Sequence, residues 1–171
     1  MSERIVTMLD QSKIAERVRE LGQQITKEYK DRHLVLVVVL KGSFVFAADL
    51  CRAIELHNLR IDFLGVRSYG EGTETSGVVQ ITQDLSRPIA GEDVVIVEDI
   101  VSTGLSSREC IEAVKKTGAK VVALACLIDR SGGEAKFDVP FVPLARMKVS
   151  SWEADKLPKH LRNIPAVKPG S

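Results

Sequence analysis

This sequence is short of several things, and each shortage narrows what the chain does. It has three cysteines, Cys51, Cys110 and Cys126, each among apolar neighbours and none at a metal-ligand spacing. That pattern points away from a disulfide scaffold or a zinc module and toward buried free thiols in a reducing compartment. It has no excess of one charge: 24 Lys and Arg against 23 Asp and Glu leave a formal +1, which gives no reason to expect a nucleic-acid surface. Its longest apolar run, Leu34 to Leu40, is too short to span a bilayer, and the first residues show no signal-peptide pattern. There is no internal repeat, no low-complexity tract and no linker-like stretch. These absences together lead us to expect a cytoplasmic enzyme or binding protein, with no membrane and no nucleic-acid partner, in one domain over residues 1–171.

What is present is enough for a real core: 171 residues, 44% hydrophobic and 27% charged. The most informative stretch is Val94-Val95-Ile96-Val97-Glu98-Asp99-Ile100-Val101-Ser102-Thr103-Gly104-Leu105-Ser106-Ser107. Four β-branched residues in a row read as a buried strand. Two carboxylates follow at its end, and then a Ser-Thr-Gly turn opens onto a helix. Backbone N–H groups, hydroxyls and a helix N-terminus gathered in one turn suit a phosphate. Adjacent carboxylates suit the hydroxyls or the divalent cation that accompany one. Any α/β protein has strand–turn–helix units, but an acidic pair followed by a Gly turn is a poor structural filler.

Taken in order, residues 11–29 read as a helix, with Ile14, Val18, Leu21, Ile25 and Tyr29 on one face and Asp10 or Ser12 as cap. Leu34 to Leu40 is a strand apolar on both faces, and 44–54 is helical. Between them, Lys41-Gly42-Ser43 is either a phosphate-facing turn or a plain helix start with a solvated lysine. Gly42 permits close backbone approach or an unusual peptide geometry. Residues 60–66 read as a strand. Residues 67–84, rich in glycine and hydroxyls, are either a hairpin or a lid that closes over a ligand. After the central strand 94–97 come a helix over 105–117 ended by Gly118, a buried strand over 121–128, the turn Asp129-Arg130-Ser131-Gly132-Gly133, and a short strand over 141–144. Strands alternating with helices predict a doubly wound parallel sheet, with the turns after residues 40, 97 and 128 converging on one edge.

Glu98-Asp99-Ile100-Val101-Ser102-Thr103-Gly104 resembles the phosphoribosyl-pyrophosphate (PRPP) signature of type I phosphoribosyltransferases. Leu40-Lys41-Gly42-Ser43-Phe44-Val45-Phe46, Ser68-Tyr69-Gly70 with Gly72-Thr73, and Glu20-Leu21-Gly22-Gln23-Gln24-Ile25-Thr26 resemble the hypoxanthine-guanine branch. The resemblance covers about residues 5–130. It implies an α/β fold of the type I phosphoribosyltransferase (Rossmann-like) kind: a parallel sheet flanked by helices, a flexible lid loop over about 67–84 and a small hood, with base recognition over about 129–171. It implies an enzyme that moves ribose 5-phosphate from PRPP to a nucleobase with Mg²⁺ and releases pyrophosphate, as a homodimer or homotetramer. By resemblance Glu98 and Asp99 would hold the ribose hydroxyls, directly or through Mg²⁺, and serve as metal ligands. Ser102, Thr103, Gly104, Leu105 and Ser106 would cradle the 5′-phosphate. Lys41 and Gly42 would face the pyrophosphate, and Ser68 and Tyr69 would ride on the lid. Ser102, Ile128, Arg130 and Trp152 would face the base. An oxocarbenium-like transition state needs water excluded and the leaving group neutralised, which is what these parts supply.

The sequence departs from the hypoxanthine-guanine pattern in two places. That branch normally has Asp where this chain has Ser102, and serine is no acid or base near neutral pH. It normally has Asp-Lys where this chain has Asp129-Arg130, and Arg grips a carboxylate bidentately. Its basic residue four positions on is replaced here by Glu134. The tail, with Val139-Pro140-Phe141 and Ile164-Pro165-Ala166-Val167-Lys168-Pro169-Gly170-Ser171, resembles the orotate branch instead, which also carries a hydroxyl at the place of Ser102. Yet that branch's lid carries lysines and a histidine, and residues 67–84 have neither. The leading expectation is transfer to a 6-oxopurine in purine salvage. The alternatives are an orotate or other acidic-base enzyme, and a PRPP-binding regulator or inactive homologue. Trp152 either stacks on a base or, as we favour, covers the core. His160 and Arg162 fit no motif well.

Overall fold

The computed structural model describes residues 7–68, 79–150, 152, 154–162 and 164. Asp10 starts the first helix, α1 (Gln11–Glu28), by accepting from the Ser12 N–H at 2.8 Å. The elements then run β1 (Leu34–Leu40), α2 (Phe44–Ala53), β2 (Leu59–Ser68), β3 (Val79–Gln83), β4 (Asp93–Val101), α3 (Leu105–Lys116), β5 (Lys120–Asp129) and β6 (Phe141–Arg146). A 3-10 turn, Ala154–Lys156, follows. The six strands form one sheet in the order β3-β2-β1-β4-β5-β6.

β2, β1, β4, β5 and β6 are parallel, as the alternation of strands and helices predicts. β3 is the exception: it returns antiparallel to β2, so the sheet is mixed and the arms of the 67–84 excursion form a hairpin. The tip of that excursion, with Tyr69, lies outside the described residues. Asp62, in the middle of β2, fixes the return. It is 4% exposed and accepts from the Ser86 N–H at 3.1 Å, the Ser86 hydroxyl at 2.9 Å and the Phe63 N–H at 2.9 Å. Burial pushes its carboxyl up, but those hydrogen bonds outweigh burial and hold it below the ordinary aspartate value.

The core lies on both faces of the sheet. α1 and α2 cover one, with Val18, Leu21, Ile25, Phe46 and Leu50 against Leu36, Val38, Val95 and Val97. α3 covers the other, with Cys110, Ile111 and Val114 against Val37, Ile96, Leu124 and Cys126. Continuous β-branched runs on β1 and β4 are the signature of strands buried on both sides. Cys110 and Cys126 are buried free thiols, while Cys51 on α2 is only half-buried. Among the described residues no helix is long and apolar enough to cross a membrane.

β4 runs farther than the sequence suggests. The apolar run ends at Val97, but pairing with β5 continues through Glu98, Ile100 and Val101, so the two carboxylates sit in the strand rather than after it.

Candidate active site

Connections leave β1 and β4, neighbours at the middle of the sheet, toward opposite faces: α2 follows β1 on one side and α3 follows β4 on the other. Such a switch opens a crevice at the carboxyl ends of the strands. Lys41-Gly42 after β1, Ser102-Thr103-Gly104 after β4 and Arg130-Ser131 after β5 all come to this edge.

Because Glu98 and Asp99 lie on a strand, they leave opposite faces. Glu98 turns under α3, 6% exposed, paired in register with Cys126. Burial pushes its carboxyl up to about 7, against a hydrogen bond with Ser107, and the Asp99 charge adds to the rise. Its Oε1 has no hydrogen-bond partner among the described residues. Asp99 turns the other way, toward the β1 turn. A Cβ built on Gly42 would overlap its Oδ2, so the close approach that Gly42 permits is used here, just after a cis Leu40–Lys41 peptide. Ser43 anchors that turn: it is fully buried and its hydroxyl donates to the Val39 carbonyl. Lys41 is exposed at its tip.

The turn after β4 has the form of an anion cradle. Gly104 stands at the N-cap of α3 with φ 76, a left-handed conformation costly for residues with a Cβ, and makes no side-chain cap. The Thr103 Oγ1 accepts from the Leu105 N–H at 3.3 Å. Ser102, Thr103 and Ser106 are exposed, and the first turn of a helix offers unbonded N–H groups to an anion.

A cavity of about 600 Å³ joins this cradle to the loop after β5; Ser102, Thr103, Arg130 and Ser131 line it together with Arg108, Lys136, Lys148 and Glu134. The loop is pinned by Asp129, which is fully buried and accepts from the Ser131 N–H at 2.9 Å and the Ser131 hydroxyl at 2.6 Å. The Arg130 N–H donates to the Val101 carbonyl at 2.7 Å, which ties the β5 turn to the β4 turn. Lys148 reaches Glu134 at 2.7 Å and holds that carboxyl below its usual range.

Of the residues singled out from sequence, Lys41, Gly42, Asp99, Ser102, Thr103, Gly104 and Arg130 come to this edge. Leu105 and Ser106 open α3 beside them. Ile128, half-buried on β5, and Trp152 are not among the residues that line the cavity, and Trp152, 47% exposed, does not cover the core. His160 is exposed, and the Arg162 Nε donates within its own turn to the Leu157 carbonyl at 3.0 Å. Nothing is described of the Ser68 side chain or of Tyr69. Sequence reading missed Arg108, Lys136 and Lys148. Arg108 was findable, four residues after Gly104 and so on its helix face. Lys148 was not, because pairing of its segment with the loop after β5, at the bridge between Ser131 and Lys148, brings it in.

The family model described as the phosphoribosyl transferase domain matches residues 6–154. An orotate phosphoribosyltransferase of Maricaulis maris is 44% identical over 153 residues, covering 90% of this chain and 73% of the relative. A hypoxanthine-guanine phosphoribosyltransferase of Dictyostelium discoideum is 44% identical over 133 residues, 76% of this chain and 73% of the relative. A crystal structure of a hypoxanthine-guanine phosphoribosyltransferase from Bacillus anthracis superposes with a TM-score of 0.76 at 33% identity, covering 86% of each chain.

Proposed function

Since the chain belongs to the phosphoribosyl transferase domain family and is a phosphoribosyltransferase, we propose that it transfers the 5-phosphoribosyl group of PRPP to a 6-oxopurine, hypoxanthine or guanine. The products are the nucleoside monophosphate and pyrophosphate, and the role is purine salvage. The observation that carries this reading is the meeting of three turns, after β1, β4 and β5, at one sheet edge, with Gly42 backed onto Asp99. The leading motif residues and the hypoxanthine-guanine relatives support the purine as acceptor.

In this reading Ser102, Thr103, Gly104, Leu105 and Ser106 hold the 5′-phosphate with N–H groups and hydroxyls. Lys41 and the Gly42 backbone face the pyrophosphate. Asp99 takes the ribose hydroxyls, and Glu98 stands behind it. Ser102 and Arg130 face the base, and Ser68 and Tyr69 belong to the lid that shuts out water. Asp99, half-buried beside Gly42, fits Mg²⁺, a cation bound by one or two carboxylates plus substrate oxygens. Among the described residues no group of three or more His, Cys, Asp or Glu is arranged to hold a metal ion, and in this reading oxygens of PRPP complete the ligand set. When bound, the cation neutralises charge on the departing pyrophosphate. We place the enzyme in the cytoplasm, one domain per chain, as a homodimer or homotetramer; the free thiols support a reducing compartment.

A second reading, orotate as acceptor, has its own observation. Arg108, Arg130, Lys136 and Lys148 line the cavity against a single carboxylate, Glu134, already paired with Lys148. Such a wall favours an acceptor that bears a carboxylate, and Ser102 offers no base to a neutral one. The experiment is pyrophosphate release from PRPP and Mg²⁺ with hypoxanthine, guanine, xanthine, adenine, uracil and orotate. Turnover of hypoxanthine or guanine is expected. Turnover of orotate alone would sink the purine reading. Ser102→Asp should speed purine turnover, and no gain would count against a missing general base.

A further inference from the structure

One guanidinium in the cavity wall lies outside the signature motif yet touches two segments of the site and an aromatic ring behind them. Arg108 sits one turn into α3, its N–H bonded to the Gly104 carbonyl at 3.0 Å. Its side chain runs back over that turn. Nη2 donates to the Thr103 carbonyl at 3.2 Å, and Nη1 donates to the Lys136 carbonyl at 3.3 Å. The same group lies over the Phe137 ring, Cζ 5.9 Å from the centroid. Phe137 in turn meets Phe141 of β6 edge to face, with 4.9 Å between centroids.

The two segments it joins have different tasks. Thr103 belongs to the phosphate cradle; Lys136 ends the loop that begins at Arg130. The near half of that loop is held from within, since the Ser131 hydroxyl accepts from the Gly133 and Ala135 N–H groups at 3.2 and 2.9 Å. Its far end is held to α3 by Arg108, and beyond it by the Lys115–Asp138 pair. Gly104 leaves room for the arrangement: a Cβ there would lie 2.9 Å from the Phe137 Cζ and 3.0 Å from the Arg108 Nη1.

We propose that Arg108 is a positioning residue, fixing the phosphate-binding turn and the Arg130 loop in one register so that donor and acceptor are aligned for transfer. The proposal rests on the assignment of these two segments to donor and acceptor, and not on which base is accepted. A planar fork can satisfy two carbonyls on separate segments at once, whereas a lysine ammonium is a point charge on a flexible stem. Alignment is where small displacements cost rate.

The test compares Arg108→Lys, Arg108→Ala and Phe137→Leu with the parent enzyme. Steady-state kinetics use whichever base the parent turns over, and calorimetry follows PRPP with Mg²⁺ alone. Both Arg108 variants should lose about tenfold or more in kcat while PRPP affinity changes by less than about threefold, and lysine should not rescue. Phe137→Leu should shift kcat the same way by a smaller factor. If affinity for PRPP falls as far as kcat/KM and lysine restores it, Arg108 is a direct phosphate ligand and the proposal is overturned. A lowered melting temperature with unchanged kcat overturns it too. A parent that turns over no base defeats the acceptor reading separately. Arg108 is then judged by hydrogen exchange in the PRPP complex, where Arg108→Lys must speed exchange at residues 131–137, and unchanged protection refutes the proposal.

Discussion

On β4, consecutive side chains leave opposite faces of the sheet, and the two carboxylates of the signature are consecutive. Asp99 therefore stands against Gly42 in the crevice, and Glu98 lies under α3 with Ser107, Cys110 and Cys126. The pair looks equivalent in sequence, and its difference comes from β4 continuing to Val101. Asp99→Asn should lower kcat/KM for PRPP by about a hundredfold, since in the proposed function it removes the charge assigned to the ribose and cation. Glu98→Gln should cost clearly less in the same assay. Equal losses would mean that Glu98 leaves Ser107 for the ribose when PRPP binds. That serine fills position 102 was plain from sequence; that it shares a cavity with Arg108 and Lys148 was not.

At the scale of elements, the β2–β3 hairpin is held at its root by one buried carboxylate. Asp62 binds Ser86 on the far side of the excursion and reads in sequence as an odd acidic residue in an apolar strand. Its meaning depends on a partner 24 residues away. Asp62→Asn should destabilise the protein by about 2 kcal/mol at neutral pH, the worth of hydrogen bonds to a buried ionised group. The pH dependence has a definite sign. The folded carboxyl titrates below its ordinary value of 3.8, so its contribution is present above that value and fades as pH falls through the lowered one. Denaturation followed from pH 6 to pH 2 should show a steeper acid loss in the parent than in the variant, and parallel curves would reject the anchor role. Other elements were readable where one principle dominated: α1 from its apolar period, β1 from a run apolar on both faces; of the two caps the sequence offers for α1, Asp10 and Ser12, the structure uses Asp10. β3 was not, because its direction is set by pairing with β2.

At the scale of the molecule, two thiols report on one core. Cys110 on α3 and Cys126 on β5 lie in the same core cluster, and burial pushes both thiols up to about 12. Cys51 is half-buried on α2, its Sγ bonded to the Ala48 carbonyl at 3.4 Å. A thiol reagent at pH 8 should therefore modify one cysteine in the native protein. Cys110 and Cys126 should follow together, at the rate of global unfolding, as expected of a single domain. Separate rates for the two would break the chain into more than one cooperative unit.

By itself the sequence determined what local chemistry can dictate: the strands buried on both faces, the capped first helix, the glycine turns and the cradle-like turn that opens α3. Each depends on residues within one turn or one strand of each other. Only the tertiary structure decided what depends on which strands are neighbours. It set β1 beside β4, so that Lys41-Gly42 meets Asp99. It turned β3 back against β2. It folded the loop after β5 onto α3, so that Arg108, Lys136 and Lys148 charge a cavity that no local pattern announces. Pairing across the sheet joins residues far apart in the chain, and spacing along a sequence carries no record of that distance once the strands have met.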